Sequence, residues 1–463
     1  MIVAGPLTGP PEHAGVAGKA LDGLLSRLRG EALTPEDPGY ARELAGFNRI
    51  AQHRPDVVVA ALSAEDVSAA VSFAAQERLP VAVQATGHGI AAPPPGGVLV
   101  STRRMNAVAV DPFTRTAYVE AGAQWHQVIS AAAPHGLAPL NGSSPLVGVV
   151  GYTLGGGLGP LGRQFGFAAD HVTRIEVVTA DGSIRQVTRD RHPELFWALR
   201  GGKGNFGIVT RLWFGLMPVR RLYGGGIHFP GEEAAQVLHT WRRWTATVPE
   251  EMTSSVSLLR LPDVADVPRF LRGTFAVHVR IAFTGPAEEG ERLVRPLRAC
   301  GTPSADSVAE MPYAAVADIH QDPTRPLPYH ERNIVLKELE VGATEALLEV
   351  AGAGSSCGDL MVEVRHLGGA LSRPAEVPNA VGVREGAYTL STLSPPGSPD
   401  VVLGPMEPWS TGLRYLNFLA GADTAGPAGE CFGPETLNRL ARVKAAVDPG
   451  NLFRLGHPIA PRP

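Results

Sequence analysis

"NGSSPLVGVVGYTLGGGLGPLGRQFG" (residues 141–166) is the stretch on which the fold turns. Within it, Gly157-Leu158-Gly159-Pro160-Leu161-Gly162 formally matches the G-x-G-x-x-G of a dinucleotide-binding turn, and Asp181 lies near the acidic position that goes with it. A turn of that kind must open a helix, because the pyrophosphate rests on the helix N-terminus. Here Pro160 and the chain beyond it lead instead to a strand pair, "VTRIEVVTADGSIRQV" (172–187). Asp181 is accounted for by the Asp181-Gly182 hairpin turn inside that pair. The glycines then have two explanations. One is tight packing and turns. The other is a lining along which a flat or phosphorylated ligand reaches backbone N–H groups. A second cluster, in "LRGGKGNFGIVT" (199–210), also sits near a strand end. Two clusters in one domain favour a large cofactor.

Upstream, "DVVVAAL" (56–62) reads as a buried strand, Ser63 as an N-cap, and the helix after it has an acidic first turn. "LPVAVQ" (79–84) is the next strand and runs into "ATGHGIAAPPPGG" (85–97). His88 therefore follows the carboxyl end of a strand, where ligands of α/β units bind. Its glycine neighbours expose it. From the residues alone, His88 is either an imidazole at a ligand site or a loop histidine with a satisfied hydrogen bond. "AVAVDP" and "TAYVEAGA" form paired strands around Asp111–Thr114, and "QWHQVISAAAPHGL" (124–137) a helix stopped near Pro134–Gly136.

Texture changes near residue 218. A first domain spans 1–217 (core from about residue 50), a second 218–405, and the segment 406–463 returns to the first. In the second, Glu363 and Arg365 share one face of a strand with His366 on the other, and His278 and Arg280 share a face of another strand. These are cavity-lining groups or satisfied charges on a half-exposed sheet. "RYLNF" reads as a strand, so Tyr415 and Asn417, two apart on it, share a face.

The 463 residues carry 45 acidic and 41 basic side chains, without long runs of either sign. That argues against nucleic acid or a membrane surface as partner. Cys300, Cys357 and Cys431 are scattered and odd in number, so neither a disulfide framework nor a metal site is expected. The first twenty residues do not read as a signal peptide, and no apolar run is long enough to span a bilayer. A cytoplasmic protein is expected. Lysine occurs four times only, at Lys19, Lys203, Lys337 and Lys444.

Five pieces together resemble the berberine bridge enzyme-like branch of the vanillyl-alcohol oxidase type FAD proteins. They are "VAVQATGHG", "VGVVGYTLGGGLG", "LRGGKGNFGIVT", "RYLNF" and "VDPGNLFRLG", in the family's order and spacing over nearly the whole chain. The resemblance implies an α+β fold: a PCMH-type FAD-binding domain of two subdomains, and a substrate domain with an antiparallel sheet backed by helices. It makes His88 the residue bonded to the 8α-methyl of FAD, with the backbone of Thr86, Gly87, His88 and Gly89 cradling the pyrophosphate. Further cofactor positions are implied at Ser144, Val147, Gly148 and Tyr152, and at Gly155, Gly156 and Gly157. The third piece adds Gly202, Gly204, Asn205, Gly207, Ile208 and Val209, and the tail adds Asn417 and Asn451.

Departures from the family pattern are informative. Ser144 stands where many relatives carry a second, cysteinyl attachment, so a link through His88 alone is expected. Tyr152 replaces a common histidine. Lys203 replaces a glycine, and either meets the FAD phosphate or flavin rim or is a solvated loop lysine. Val147 falls on the oxygen-gating position and, being small, resembles oxidases. Tyr415 is the expected base. An unperturbed phenol, with a pKa of about 10, is too weakly ionised at neutral pH, so it needs a cation such as Arg365 or Arg384. The implied activity is an FAD-dependent oxidase. Hydride passes from a C–H of an alcohol, amine or secondary-metabolite intermediate to flavin N5 and then to O2, giving H2O2. Glu363, Arg365, His366, Arg384 and His278 are the substrate-contact candidates, and the protein is expected as a monomer or homodimer. Two alternatives stay open: a flavin dehydrogenase with another acceptor, and a non-catalytic binding protein on the same fold.

Overall fold

The structure, a computed structural model, describes residues 18–90, 95–421 and 428–462. Most of the stretch read for a leader, and part of the proline-rich loop after His88, lie outside the described residues. Among the described residues no helix is long and apolar enough to cross a membrane.

Three sheets form. The first holds β1 (Glu31–Leu33), β2 (Val57–Ala60), β3 (Val81–Gln84) and β4 (Val98–Ser101) in the order β1-β2-β4-β3. β2, β4 and β3 are parallel. β2 and β4 are buried along their whole length, as strands inside a covered parallel sheet should be, with only Ser101 of β4 polar. The helix Ala64–Gln76 crosses from β2 to β3, and Ser63 Oγ accepts the Asp66 N–H at its start. The sequence reading placed β2 and β3 in one unit and missed β4, which inserts between them. β4 is short and comes after a proline-rich loop, so it carries no alternation to announce it.

The second sheet holds β5 (Val108–Asp111), β6 (Thr116–Glu120), β7 (Val172–Val178), β8 (Ile184–Val187) and β9 (Ile208–Gly215), ordered β5-β6-β9-β7-β8. The glycine block is not a strand–turn–helix. A short helix, Val149–Leu154, precedes the glycines, and Gly162–Phe165 makes one turn before the chain enters β7. Asp181 is held by its own hairpin, accepting from Thr179 Oγ1 at 2.6 Å and from the Ser183 N–H at 3.1 Å.

The third sheet comprises β10 (Arg221–Pro230), β11 (Met252–Arg260), β12 (Phe275–Phe283), β13 (Ala305–Asp306), β14 (Ala309–Pro312), β15 (His330–Leu336), β16 (Met361–His366) and β17 (Tyr388–Ser394). Its order is β13-β10-β12-β11-β16-β17-β15, with β14 also on β10, and its pairs are antiparallel. One face is apolar: Ile227, Val277, Val279, Val256, Val364 and Leu390 pack with Trp241 and Leu347 of the backing helices Ala234–Thr245 and Val341–Ala351. The alternate residues, His228, His278, Arg280, Ser255, Ser257, Glu363 and Arg365, form a polar face that is also buried or nearly so. A sheet buried on both sides with charges on one of them must compensate those charges internally. "RYLNF" is not a regular strand: Leu416–Phe418 is a single tight helical turn.

Candidate functional site

The polar face of the third sheet and the strand ends of the other two close around a cavity of about 1050 Å³. That is at the upper end of ordinary ligand sites, which run to about 1000 Å³. Its first half is built from backbone. β3 delivers Thr86, Gly87, His88 and Gly89, the loop before Val149–Leu154 delivers Ser144, Val147 and Gly148, and the loop into β9 delivers Gly204, Asn205 and Gly207.

His88 is fixed from three directions. Its Nδ1 lies 2.9 Å from Thr86 Oγ1, its ring stacks on Phe47 with centroids 4.1 Å apart, and its carbonyl accepts the Tyr329 hydroxyl at 3.1 Å. Nε2 is buried without a partner. Burial pushes the imidazole pKa down to about 4, so it is neutral at physiological pH. Gly87 has φ +69°, and a Cβ there would stand 2.6 Å from the Cα of Gly46. That close approach lets Phe47 and Asn48 donate their N–H groups to the carbonyls of Thr86 and Gly87, at 2.8 and 3.0 Å.

Lys203, also in left-handed backbone (φ +53°), lines the cavity and donates to the Leu416 carbonyl at 3.3 Å. Burial lowers its ammonium pKa to about 8. Asn205 works in the opposite direction. Its amide donates to the His457 carbonyl at 3.0 Å and its carbonyl accepts the Ile459 N–H at 2.9 Å, which ties the C-terminal tail to the cavity wall.

The second half of the cavity is the sheet face. Glu363, fully buried, accepts from Ser255 Oγ and from Arg365 Nε, both at 2.7 Å, and from Arg280 Nη1. Arg365 and Arg280 hold its carboxyl far below the usual range against burial, so it is ionised. The guanidinium of Arg365 lies over the ring of Phe418, 4.8 Å from its centroid. His278 stacks on His228 at 3.9 Å and accepts on Nδ1 from Arg280 Nε at 3.3 Å. Burial first, and then the charge of Arg280, keeps both imidazoles neutral.

Several expected residues lie elsewhere. Gly155, Gly156, Gly157, Gly202 and Asn451 do not line the cavity, nor does Glu363, whose carboxylate is enclosed by Arg280, Arg365 and Ser255. Gly155 leaves room for Asn417, whose Oδ1 would be 2.0 Å from a Cβ there. His366 sits on the opposite side, its Nε2 3.0 Å from Arg163 Nη1 and its ring 5.3 Å from that of Tyr388. Arg384 is committed to Asp170. Tyr415 is 2% exposed and does not line the cavity, although its neighbours Asn417 and Phe418 do. Its hydroxyl accepts from Asn417 Nδ2 at 3.3 Å. Burial raises its pKa despite the charge of Arg365, the reverse of what a base requires. Arg365 does lower the phenol's pKa, but by less than burial raises it.

The sequence reading also missed functional groups. Phe47, Tyr329 and His320 reach the cavity from loops with no motif, and so does Glu331 of β15. Burial pushes the Glu331 pKa up to about 8, with Asp322 and Glu363 adding to the rise and Arg365 and Lys203 opposing it.

The residues present fit an FAD: a neutral, immobilised histidine with an orphaned Nε2, glycine-edged backbone on three loops, and a cavity large enough for the cofactor and a second ligand. Comparison with known proteins agrees. Residues 55–188 match the FAD binding domain family, and residues 415–460 the family described as berberine and berberine like. An uncharacterized FAD-linked oxidoreductase of Bacillus subtilis is 27% identical over 459 residues, covering 94% of this chain and 98% of that protein. (R)-6-hydroxynicotine oxidase of Paenarthrobacter nicotinovorans is 28% identical over 464 residues, covering 94% and 97%. Among solved structures, xylooligosaccharide oxidase from Myceliophthora thermophila, in complex with xylobiose, superposes with a TM-score of 0.81 at 22% identity, over 96% of this chain and 100% of that one.

Proposed function

On the premise that this chain is an FAD-linked oxidoreductase of the berberine bridge enzyme-like type, we propose that it is an oxidase of a small organic substrate, carrying its flavin on His88 alone. Bound FAD supplies a two-electron acceptor that O2 can re-oxidise, giving H2O2. The observation that carries the reading is His88 itself, neutral, clamped and unpartnered at Nε2 in a cavity where Ser144 replaces any thiol. With Nδ1–H donating to Thr86 Oγ1, the Nε2 lone pair is the nucleophile. Phe47 and the Tyr329 hydroxyl keep the ring and its backbone from rotating away. Val147, on the same wall, leaves the small side chain expected of an oxygen-reactive site. Arg280, Arg365 and the histidine pair form the substrate-side wall, with Glu363 buried behind the two arginines.

Two groups compete for the substrate's proton. Tyr415 is the residue the family pattern points to. Glu331 is favoured by a specific observation: it lines the cavity and exchanges a proton near pH 8, whereas the Tyr415 hydroxyl is enclosed. The variant Glu331→Gln or Tyr415→Phe that slows anaerobic flavin reduction by about 100-fold identifies the base.

Acid precipitation of the pure protein tests the link. Yellow colour stays in the pellet and is lost from it in His88→Ala. Flavin released from the unmutated protein refutes the link. Rapid mixing of the reduced protein with air-saturated buffer tests the oxidase assignment, and slow re-oxidation without peroxide refutes it.

A further inference from the structure

The sheet-side end of the cavity carries more cationic hydrogen-bonding capacity than the protein itself uses. Arg365 spends Nε on Glu363, and among the described residues neither of its Nη atoms has a hydrogen-bond partner. It lines the cavity, backed by the face of Phe418. Arg280, on the neighbouring wall, spends Nε on His278 and Nη1 on Ser257 and Glu363. Two guanidinium groups thus share one buried carboxylate, leaving one positive charge in excess. Beside them His278, 1% exposed, has an unpartnered Nε2, and His320 an unpartnered Nδ1. Both line the same cavity.

Other charges face Arg365. Glu331 and Asp322 lie within electrostatic reach of it. Neither makes an ion pair with it among the described residues, and Glu331 is largely protonated at neutral pH. Lys203 adds a further positive charge from the flavin-side wall. Around this polar end the walls are apolar: Leu259, Leu261, Met361, Leu393 and Phe418.

A guanidinium with one edge pinned by a carboxylate and its other donors free is preorganised for a second anionic oxygen, because the rotamer is fixed before the ligand arrives. We propose that the substrate presents an anionic oxygen, a carboxylate or an enolate-type oxygen on an apolar body, to the Nη edge of Arg365. This deepens the oxidase reading and rests on it for the word substrate. The anion subsite itself requires only the cavity.

Benzoate and benzamide are matched probes of that subsite, alike in shape and differing in charge. Each is titrated into the flavin-loaded protein at pH 7, following the flavin absorbance and, independently, heat. Benzoate should bind at least tenfold more tightly. Arg365→Gln should bring benzoate to the level of benzamide while leaving benzamide within about twofold, and Arg365→Lys should keep part of the preference. Benzamide binding as tightly as benzoate, in the unmutated protein, overturns the proposal without recourse to any variant. So does a benzoate preference that survives in a folded Arg365→Gln. Neither titration involves turnover. Failure of the oxidase reading would instead show as a colourless protein or as slow re-oxidation.

Discussion

Replacing Glu331 by glutamine should flatten the dependence of stability on pH. The folded protein holds the Glu331 proton more tightly than the unfolded chain does, because burial moves the carboxyl from the usual 4.5 to about 8. Below about pH 4.5 the group is protonated in both states and nothing is lost. Between about pH 4.5 and 8 the unfolded chain gives up this proton while the folded protein keeps it, so stability falls across that window and levels off above 8, where the half-buried carboxyl ionises too. At about 1.4 kcal/mol for each tenfold, the full displacement sets a ceiling of about 5 kcal/mol. Glu331 retains some solvent access, and Arg365 and Lys203 lie nearby, so screening and attraction reduce the effect to about 2 kcal/mol. Urea unfolding of the flavin-loaded protein at pH 5 and at pH 9 measures it. The native protein should lose about 2 kcal/mol more than Glu331→Gln between those two pH values. Parallel losses would show that the carboxyl is not desolvated, and the choice of Glu331 over Tyr415 as proton acceptor would lose its physical basis.

Gly87→Ala should fail to hold flavin and should lose about 3 kcal/mol or more, since its Cβ meets the Gly46 backbone and its φ is +69°; flavin content per chain and thermal unfolding read both effects. Glu363→Gln leaves Arg280 and Arg365 without a counter-charge and should cost about 3–5 kcal/mol, which a urea midpoint reports. Replacing the whole Arg280–Glu363–Arg365 set with apolar residues of similar volume should cost far less than Glu363→Gln and abolish benzoate preference. Thr86→Val should leave the protein folded but slow covalent attachment of flavin by at least tenfold, visible as a time course of acid-stable yellow pellet, because Nδ1 loses its hydrogen-bond partner.

How much of the molecule is legible in its sequence divides along the periodicity of its elements. The chain after Pro160 rules out a Rossmann turn in the sequence, and in the structure it makes a single turn and then enters β7. His88 reaches the cavity from a loop at a strand end, where ligands of α/β units bind, while Ser144 and Val147 reach it from a loop between helices that no strand rule places. Pairing over long distance could not be read. Glu363 and Arg280 are 83 residues apart. Alternation puts each on a face, yet only the sheet order β12-β11-β16 makes them one charge cluster. β4 was hidden because it is only four residues long and follows a proline-rich loop, with no helix pattern in the sequence before it to mark it. Glu331 was hidden because a carboxyl's pKa is a property of its surroundings, and those come from β15, β16 and the Lys203 loop together.

The grip of Asn205 on residues 457 and 459 has a consequence in time. Phe453, Leu455, Gly456 and His457 form part of the cavity wall, and Asn205 is synthesised some 250 residues before its partners at 457 and 459. This wall therefore cannot form until residues 457 and 459 have been synthesised. His88 is synthesised long before residues 457 and 459, so a flavin held there would be enclosed by this wall only once those residues have folded onto Asn205. A stop placed between residues 216 and 453 yields a chain with the strands and flavin-side loops of the first two sheets but an open pocket, which should be recovered without colour.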